Sequence, residues 1–317
     1  MKSLENQTTM SEYFLSMIMP AKNVESYVAQ AIESYISHNR NDIVLVIIDD
    51  NSTDNTYLIC EEFKKKYPSK IILRRNQHSG KVNALNFGFT LVQSKYYKFV
   101  DADDVLEKSY WSLLNKNAQN KSSFVHPFTT VDKNLNKIST LPMPNQSLKN
   151  NRKYLKNLIL LPKVAWTFNN EDIKTLFPIP EKMPFEDIWF SFYIYSSNVS
   201  VNNEVESAYY YRQHENQTYG NISNINENRT LFRFKRIYKA IKIMENNQIF
   251  ENLKSELLSA KVISLFMLRK VTFLLLISKS GTLSSIKHLL LRDYKFIYLN
   301  VRKFIWRIRT LITVFKN

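Results

Sequence analysis

The chain has 317 residues, 44% hydrophobic and 23% charged, a globular balance in a length that suits one large domain and an appendage. Its one cysteine, Cys60, excludes an intrachain disulfide and a cysteine zinc site, and its four glycines (Gly80, Gly88, Gly220, Gly281) allow neither a GxGxxG loop nor a GxxxxGK loop. The formal charge of +16 is uneven: residues 231–317 hold 18 Lys+Arg against 4 Asp+Glu, so the first 230 are nearly neutral and the basic end suits nucleic acid or an anionic membrane.

Met1 to Glu12 is polar and has no apolar h-region, so no signal peptide is expected. Tyr13 to Met19 is a short apolar run stopped by Pro20 and reads as a buried strand. Val24, Tyr27, Val28, Ala31, Ile32, Tyr35 and Ile36 follow the i, i+3, i+4 spacing of an amphipathic helix. Ile43 to Ile48 is rich in β-branched residues and does not alternate, the pattern of a strand inside a parallel sheet. It ends at the turn-forming cluster Asp49-Asp50-Asn51-Ser52-Thr53-Asp54. A helix over Thr56–Tyr67, a strand over Lys70–Arg74, a helix over Val82–Gln93 and a strand over Tyr96–Val100 follow, the last ending at Asp101-Ala102-Asp103-Asp104. Alternating strands and helices predict a doubly wound, mainly parallel α/β sheet, whose ligands bind beyond the strands' carboxyl ends. Asn-rich stretches at 115–120, 133–151 and 216–228 read as loops, and the last is a boundary between residues 1–225 and a basic helical region, 226–317. Val262 to Ser278 is apolar but is interrupted by Arg269-Lys270, which argues against a spanning helix.

Three acidic groups stand out. Asp101, Asp103 and Asp104 repel one another unless a cation joins them, and their hard oxygens suit Mg²⁺ or Mn²⁺; the alternative is a solvated turn. Asp49-Asp50 can accept the N–H of a base or cap the next helix. Glu186-Asp187 lies among Phe185, Ile188 and Trp189, where burial raises a carboxyl toward the range of a general base; helix capping is again the alternative. His214 becomes a metal ligand only if the chain folds back on the Asp101 cluster.

Together these segments resemble the inverting family 2 glycosyltransferases. Ser16 to Asn23 is similar to the family's opening strand, and Val46 to Thr56 to its nucleotide-binding turn. Asn76 to Gly88 resembles a GK..ALN.G segment, Asp101-Ala102-Asp103 its DxD motif, Phe185-Glu186-Asp187 its ED motif, and Tyr211 to Asn216 the end of its catalytic domain. Ala21 and Lys22 depart from the family, which often has a small or hydroxylic residue and then an aromatic one.

The resemblance covers about residues 13–218 and implies a GT-A-type domain over 1–225 that binds a nucleotide-sugar, most often UDP-linked. It implies Pro20, Asp50, Lys81, Asp101 and Asp103 at the donor, Asp101, Asp103 and His214 on Mn²⁺ or Mg²⁺, Asp187 as catalytic base, and Glu186 and Trp166 on the acceptor side. The acceptor would be a cell-surface glycan or lipid-linked hydroxyl. A non-catalytic member that only binds nucleotide-sugar or a partner is the other reading, against which the chain keeps its acids.

Tyr294, Tyr298, Val301, Ile305, Ile308, Ile312 and Phe315 form an apolar stripe with basic residues off it. This predicts that 283–317 lies on an anionic membrane surface, which would place the chain at the inner face of the cell membrane. The alternatives are packing on the catalytic domain or a homo-oligomer contact. No nucleic-acid-binding module is visible, so no nucleic-acid partner is expected.

Overall fold

Seven consecutive buried residues, Ile43–Asp49 (β2), need apolar cover on both faces and a strand on either side. In the computed structural model, which describes residues 12–141, 155, 160–197, 201–215 and 227–279, with side chains of the last range at 230–268, they have both. β2 pairs in parallel with β1 (Glu12–Ala21) and β3 (Ile71–Arg75), and β1 pairs in parallel with β4 (Gln93–Phe99). The connecting helices are α1 (Val28–Tyr35), α2 (Thr56–Lys66) and α3 (Lys81–Thr90).

The structure is thus α/β with a mainly parallel sheet. The order is β10-β6-β9-β4-β1-β2-β3, where β6 is Ser123–Val125, β9 Trp166–Asn169 and β10 Val201–Asn203. β9 runs antiparallel to both neighbours, β4 and β6. A second sheet, in the order β5-β11-β7-β8, is built from Val105–Leu106 (β5), Tyr209–Arg212 (β11), Phe128–Val131 (β7) and Lys137–Leu141 (β8).

Some boundaries differ from the sequence pattern for local reasons. α1 begins at Val28, not Val24, because the preceding backbone is bound elsewhere. Val24 N–H donates to Thr56 Oγ1 at 2.8 Å, and Thr53 N–H donates to Asn23 Oδ1 at 2.9 Å. Gln93 belongs to β4 rather than to the helix before it, because it pairs with Glu12. Two stretches expected as loops are partly regular. Residues 115–119 lie in α4 (Ser109–Gln119), where buried Asn117 donates to Glu204 Oε1 at 2.8 Å, and Lys137–Leu141 pairs with β7. Most of 216–228 lies outside the described residues.

The chain divides into two units, Met1–Asn224 with Arg236–Ile263, and Ile225–Lys235 with Ser264–Asn317. The division differs from a single cut after residue 225, since Arg236–Ile263 belongs with the first unit. There Phe250 packs edge-on against Trp189 with ring centroids 4.8 Å apart, and Arg236 Nε donates to Pro184 O at 2.7 Å. Burying an aromatic of that size stabilises by about 1.5–3 kcal/mol, enough to hold the segment. Among the described residues no helix is long and apolar enough to cross a membrane. The stripe expected over 283–317 lies outside the described residues.

α3 crosses the central strands at Gly88. A Cβ there would stand 2.7 Å from Ile18 Cγ2 and 3.2 Å from Ile48 Cγ1, closer than packed atoms tolerate. Gly88→Val is therefore expected to destabilise by about 1–3 kcal/mol through overpacking, read as a lower urea midpoint. An unchanged midpoint would show that the helix can shift freely on the sheet.

Candidate active site

The parallel strands deliver their acidic carboxyl ends to one edge. Asp50 follows β2, and its N–H bonds Ala21 O at the end of β1 at 2.8 Å. Its buried Oδ1 accepts from Asn76 Nδ2 at 2.7 Å and from Gly80 N–H at 2.8 Å. Oδ2 has Lys22 Nζ at 3.4 Å. Gly80 lies at φ +120°, a region open to glycine and strained for other residues. That conformation aims its N–H at Asp50 and starts α3 with Lys81.

Lys81 carries the network onward. Its side chain is 44% exposed, while its ammonium bridges Asp101 Oδ1 at 2.9 Å and Glu186 Oε1 at 3.0 Å. A second lysine, Lys163, approaches the same Asp101 oxygen at 2.5 Å and Glu186 Oε1 at 4.0 Å. Burial alone would push both carboxyls up; the two ammoniums outweigh it and hold Asp101 and Glu186 below their ordinary values. Burial also opposes charge on Lys81, but Asp101, Glu186 and Asp187 prevail and raise it well above the usual lysine value. The main chain of Asp101 is pinned as well, since Tyr35 Oη donates to its carbonyl at 2.7 Å and its N–H donates to Tyr209 Oη at 3.1 Å.

Glu186 and Asp187 form the first turn of the helix Glu186–Ser196, where the unpaired N–H groups favour negative charge. Asp187 Oδ1 accepts from Lys163 N–H at 2.8 Å. Burial, then the neighbouring Glu186 charge, raise its carboxyl to about 6 against the pull of Lys163 and Lys81. A carboxylate in that state can take a proton near neutral pH.

His214 does fold back on the acidic cluster. Its Nε2 lies 3.0 Å from Asp103 Oδ2, and its ring packs on Tyr27 with centroids 4.6 Å apart. Its buried Nδ1 has no hydrogen-bond partner among the described residues. A carboxylate oxygen and an imidazole nitrogen that face each other are suitable first ligands for a divalent ion. Asp101, two residues before Asp103, has its Oδ1 occupied by two ammoniums. Among the described residues no group of three or more His, Cys, Asp or Glu is arranged to hold a metal. Asp104 is fully buried beneath the cluster and accepts Arg212 N–H at 2.8 Å.

The structure thus joins Lys81, Lys163, Asp101, Glu186 and Asp187 in one network, with Asp50 bonded to the Gly80 backbone beside Lys81 and the Asp103–His214 pair two residues beyond Asp101. Pro20 sits in β1 beside Ile48, two residues before Asp50. Trp166 needs correction: at 1% exposed and stacked on Phe168, it packs inside the protein and presents no face to an acceptor. Sequence reasoning missed Lys163, Asn76 and the two tyrosines. One signal for Lys163 was available, a single lysine in the apolar run Leu161-Pro162-Lys163-Val164-Ala165-Trp166.

The model for glycosyl transferase family 2 matches residues 16–176, just over half of the chain. The chain belongs to glycosyl transferase family 2. It is 37% identical over 106 residues to the minor teichoic acid biosynthesis protein GgaB of Bacillus subtilis strain 168. That match covers 32% of this chain and only 12% of the relative, so the two share a segment and not their whole lengths. Among solved structures, S. aureus TarS 1-349 in complex with UDP-GlcNAc superposes with a TM-score of 0.59 at 17% identity, covering 80% of this chain and 72% of that one. Mannosyltransferase PcManGT from Pyrobaculum calidifontis, in complex with GDP-Man and Mn²⁺, gives 0.54 at 12% identity, covering 91% and 81%. At these identities the likeness concerns the fold, which in this family member is of the GT-A type.

Proposed function

We propose that the chain is an inverting glycosyltransferase that moves a sugar from a UDP-sugar to a hydroxyl of a cell-surface glycan or lipid-linked acceptor of the teichoic acid kind. The observation that carries this reading is the network in which Lys81 and Lys163 tie Asp101 to Glu186 and Asp187, with Asp50 bonded to the backbone of Gly80 one residue before Lys81. Membership of glycosyl transferase family 2 supports the reaction class. The UDP-GlcNAc complex of TarS supports a uridine donor, and the name of GgaB supports the acceptor class.

Asp50 keeps one carboxylate oxygen beside Lys22 for an N–H of the base, because Asn76 and Gly80 hold the other. Lys81, the exposed one of the two lysines, places its ammonium beside the donor acids, where the leaving diphosphate gains negative charge. Asp187 takes the proton of the acceptor hydroxyl as its oxygen attacks the anomeric carbon. The bond from that carbon to the diphosphate oxygen breaks on the opposite face, so the configuration inverts. The diphosphate departs without needing a proton, so one catalytic carboxylate suffices, unlike the pair used in glycoside hydrolysis. Asp103 and His214 are the residues that would hold Mn²⁺ or Mg²⁺, with Asp101 as a further carboxylate. A bound ion would neutralise charge on the diphosphate.

Asp187→Asn is expected to keep UDP binding and to cut transfer by about 10²–10⁴-fold, the usual contribution of a positioned base. In the wild type, kcat/KM should rise as pH increases through about 6, where Asp187 ionises. The stability effect has the opposite sense. A carboxyl whose folded value exceeds its unfolded value of 3.8 loses stability as pH rises from about 4 to about 6. The Asn variant should therefore melt no lower than wild type at pH 8. Near-normal turnover in this variant would remove Asp187 from the base role.

Addition of Mn²⁺ or Mg²⁺ after chelation is expected to restore transfer, and His214→Ala should weaken that rescue. Undiminished transfer in chelator would exclude the metal role. The basic residues of 283–317 support attachment to an anionic membrane face, each nearby cation adding about 1 kcal/mol. Flotation with anionic vesicles should fall at high salt, and a chain lacking 283–317 that still floats would refute the attachment.

A further inference from the structure

A lysine that is 1% exposed has lost its water, which costs several kcal/mol unless partners replace it. Lys163 has such partners on both its side chain and its main chain. Its ammonium lies 2.5 Å from Asp101 Oδ1 and 4.0 Å from Glu186 Oε1. Its own N–H lies 2.8 Å from Asp187 Oδ1. One residue therefore grips the donor-side acid with its side chain and the acid read as the base with its backbone.

The turn that bears Lys163 is fixed from several directions. Ala165 N–H donates back to Pro162 O at 3.0 Å. Lys98, buried one residue before the end of β4, donates from Nζ to Val164 O at 2.8 Å and meets His126 Nε2 at 2.9 Å. His126 N–H donates to Ala165 O at 3.1 Å. Ser191, on the helix that begins with Glu186 and Asp187, donates to Leu161 O at 3.1 Å. The turn cannot move far without breaking bonds to β4 and to that helix.

We propose that Lys163 is a positioning residue for glycosyl transfer, locking the carboxylate of Asp187 in register with Asp101 so that proton acceptor and donor hold a fixed separation. This rests on the reading of Asp187 as the base. Lys163 also makes the register electrostatic: without its charge Asp101 and Glu186 keep only the exposed Lys81, and the two carboxylates repel. A displacement of about 1 Å at a reacting group can cost on the order of 10²-fold in rate.

The full-length chain carrying Lys163→Met is the first test, with Lys163→Gln as a second neutral variant should the first fold poorly. Steady-state transfer or hydrolysis of a UDP-sugar gives kcat and KM, calorimetry gives UDP affinity, and ¹³C NMR follows the Asp187 carboxyl. The groups facing that carboxyl are Glu186 on its own helix, Lys163 on the turn, Lys81 at the start of α3 and Tyr211 on β11. The expected result is a kcat lower by about 10–100-fold with KM and UDP affinity within about threefold, the split of a positioning role. The Asp187 midpoint should also move up from about 6, because a facing cation is lost. UDP affinity weakened about tenfold or more, with kcat nearly unchanged, would make Lys163 a donor contact and overturn the proposal. Unchanged kcat and midpoint would overturn it too. If wild type binds no UDP, the functional reading fails separately, and the Asp187 midpoint in the variants still decides whether Lys163 couples to it.

Discussion

Three carboxylates cannot share a partly dry cleft unless cations are built in beside them. Asp101, Glu186 and Asp187 come from a strand end and a helix start far apart in sequence, and their mutual repulsion in low dielectric would drive them apart or protonate them. Lys81 and Lys163 resolve this at one atom, Asp101 Oδ1, which both ammoniums touch. Two of the acids thereby stay ionised. Asp187, at the margin of that positive charge and beside Glu186, is left with a carboxyl raised to about 6. The unequal protonation of neighbouring acids follows from where the two lysines sit.

The sheet makes this arrangement reproducible. Asp50 and Asp101 lie one residue beyond or close to the ends of β2 and β4, whose cores are buried and therefore stiff. The supporting shell is polar and local: Asn76 and Gly80 for Asp50, Tyr35 and Tyr209 for the Asp101 backbone, Arg212 for Asp104. Each fixes an acid by hydrogen bonds to a defined atom, so the acidic edge is held in place by the fold itself.

The β1-to-β4 half of the fold was legible in the sequence because its signals are local. Ile43 to Ile48 shows its burial by lacking alternation, and Asp50, Asp101 and Asp187 show themselves as acids beside apolar runs. Past Asp104 the strands shrink to two to five residues, too short to set up a period, and β6, β7, β9 and β11 went unseen. The Asn-rich stretch at 115–120 reads as a loop by propensity, while burial of Asn117 against Glu204 favours a helix that runs through Gln119. Trp166 was misplaced for the converse reason, since a large aromatic near a site reads equally well as a platform or as core. Lys163 depends on tertiary contact alone; only its solitary charge among apolar neighbours hinted at burial, as Lys98 does in Tyr96-Tyr97-Lys98-Phe99-Val100.

β9 runs against β4, with Thr167 opposite Lys98 and Asn169 opposite Tyr96. A strand laid in the forward sense would bring its exit to the acidic edge and leave its entrance at the far side of the sheet. Reversal exchanges the two, so the residues just before Trp166, rather than those after Asn169, arrive beside Asp101. Among the described strands of this sheet β9 alone runs backward, and this lets a connection that enters the sheet deliver a cation to an edge otherwise furnished by connections that leave it.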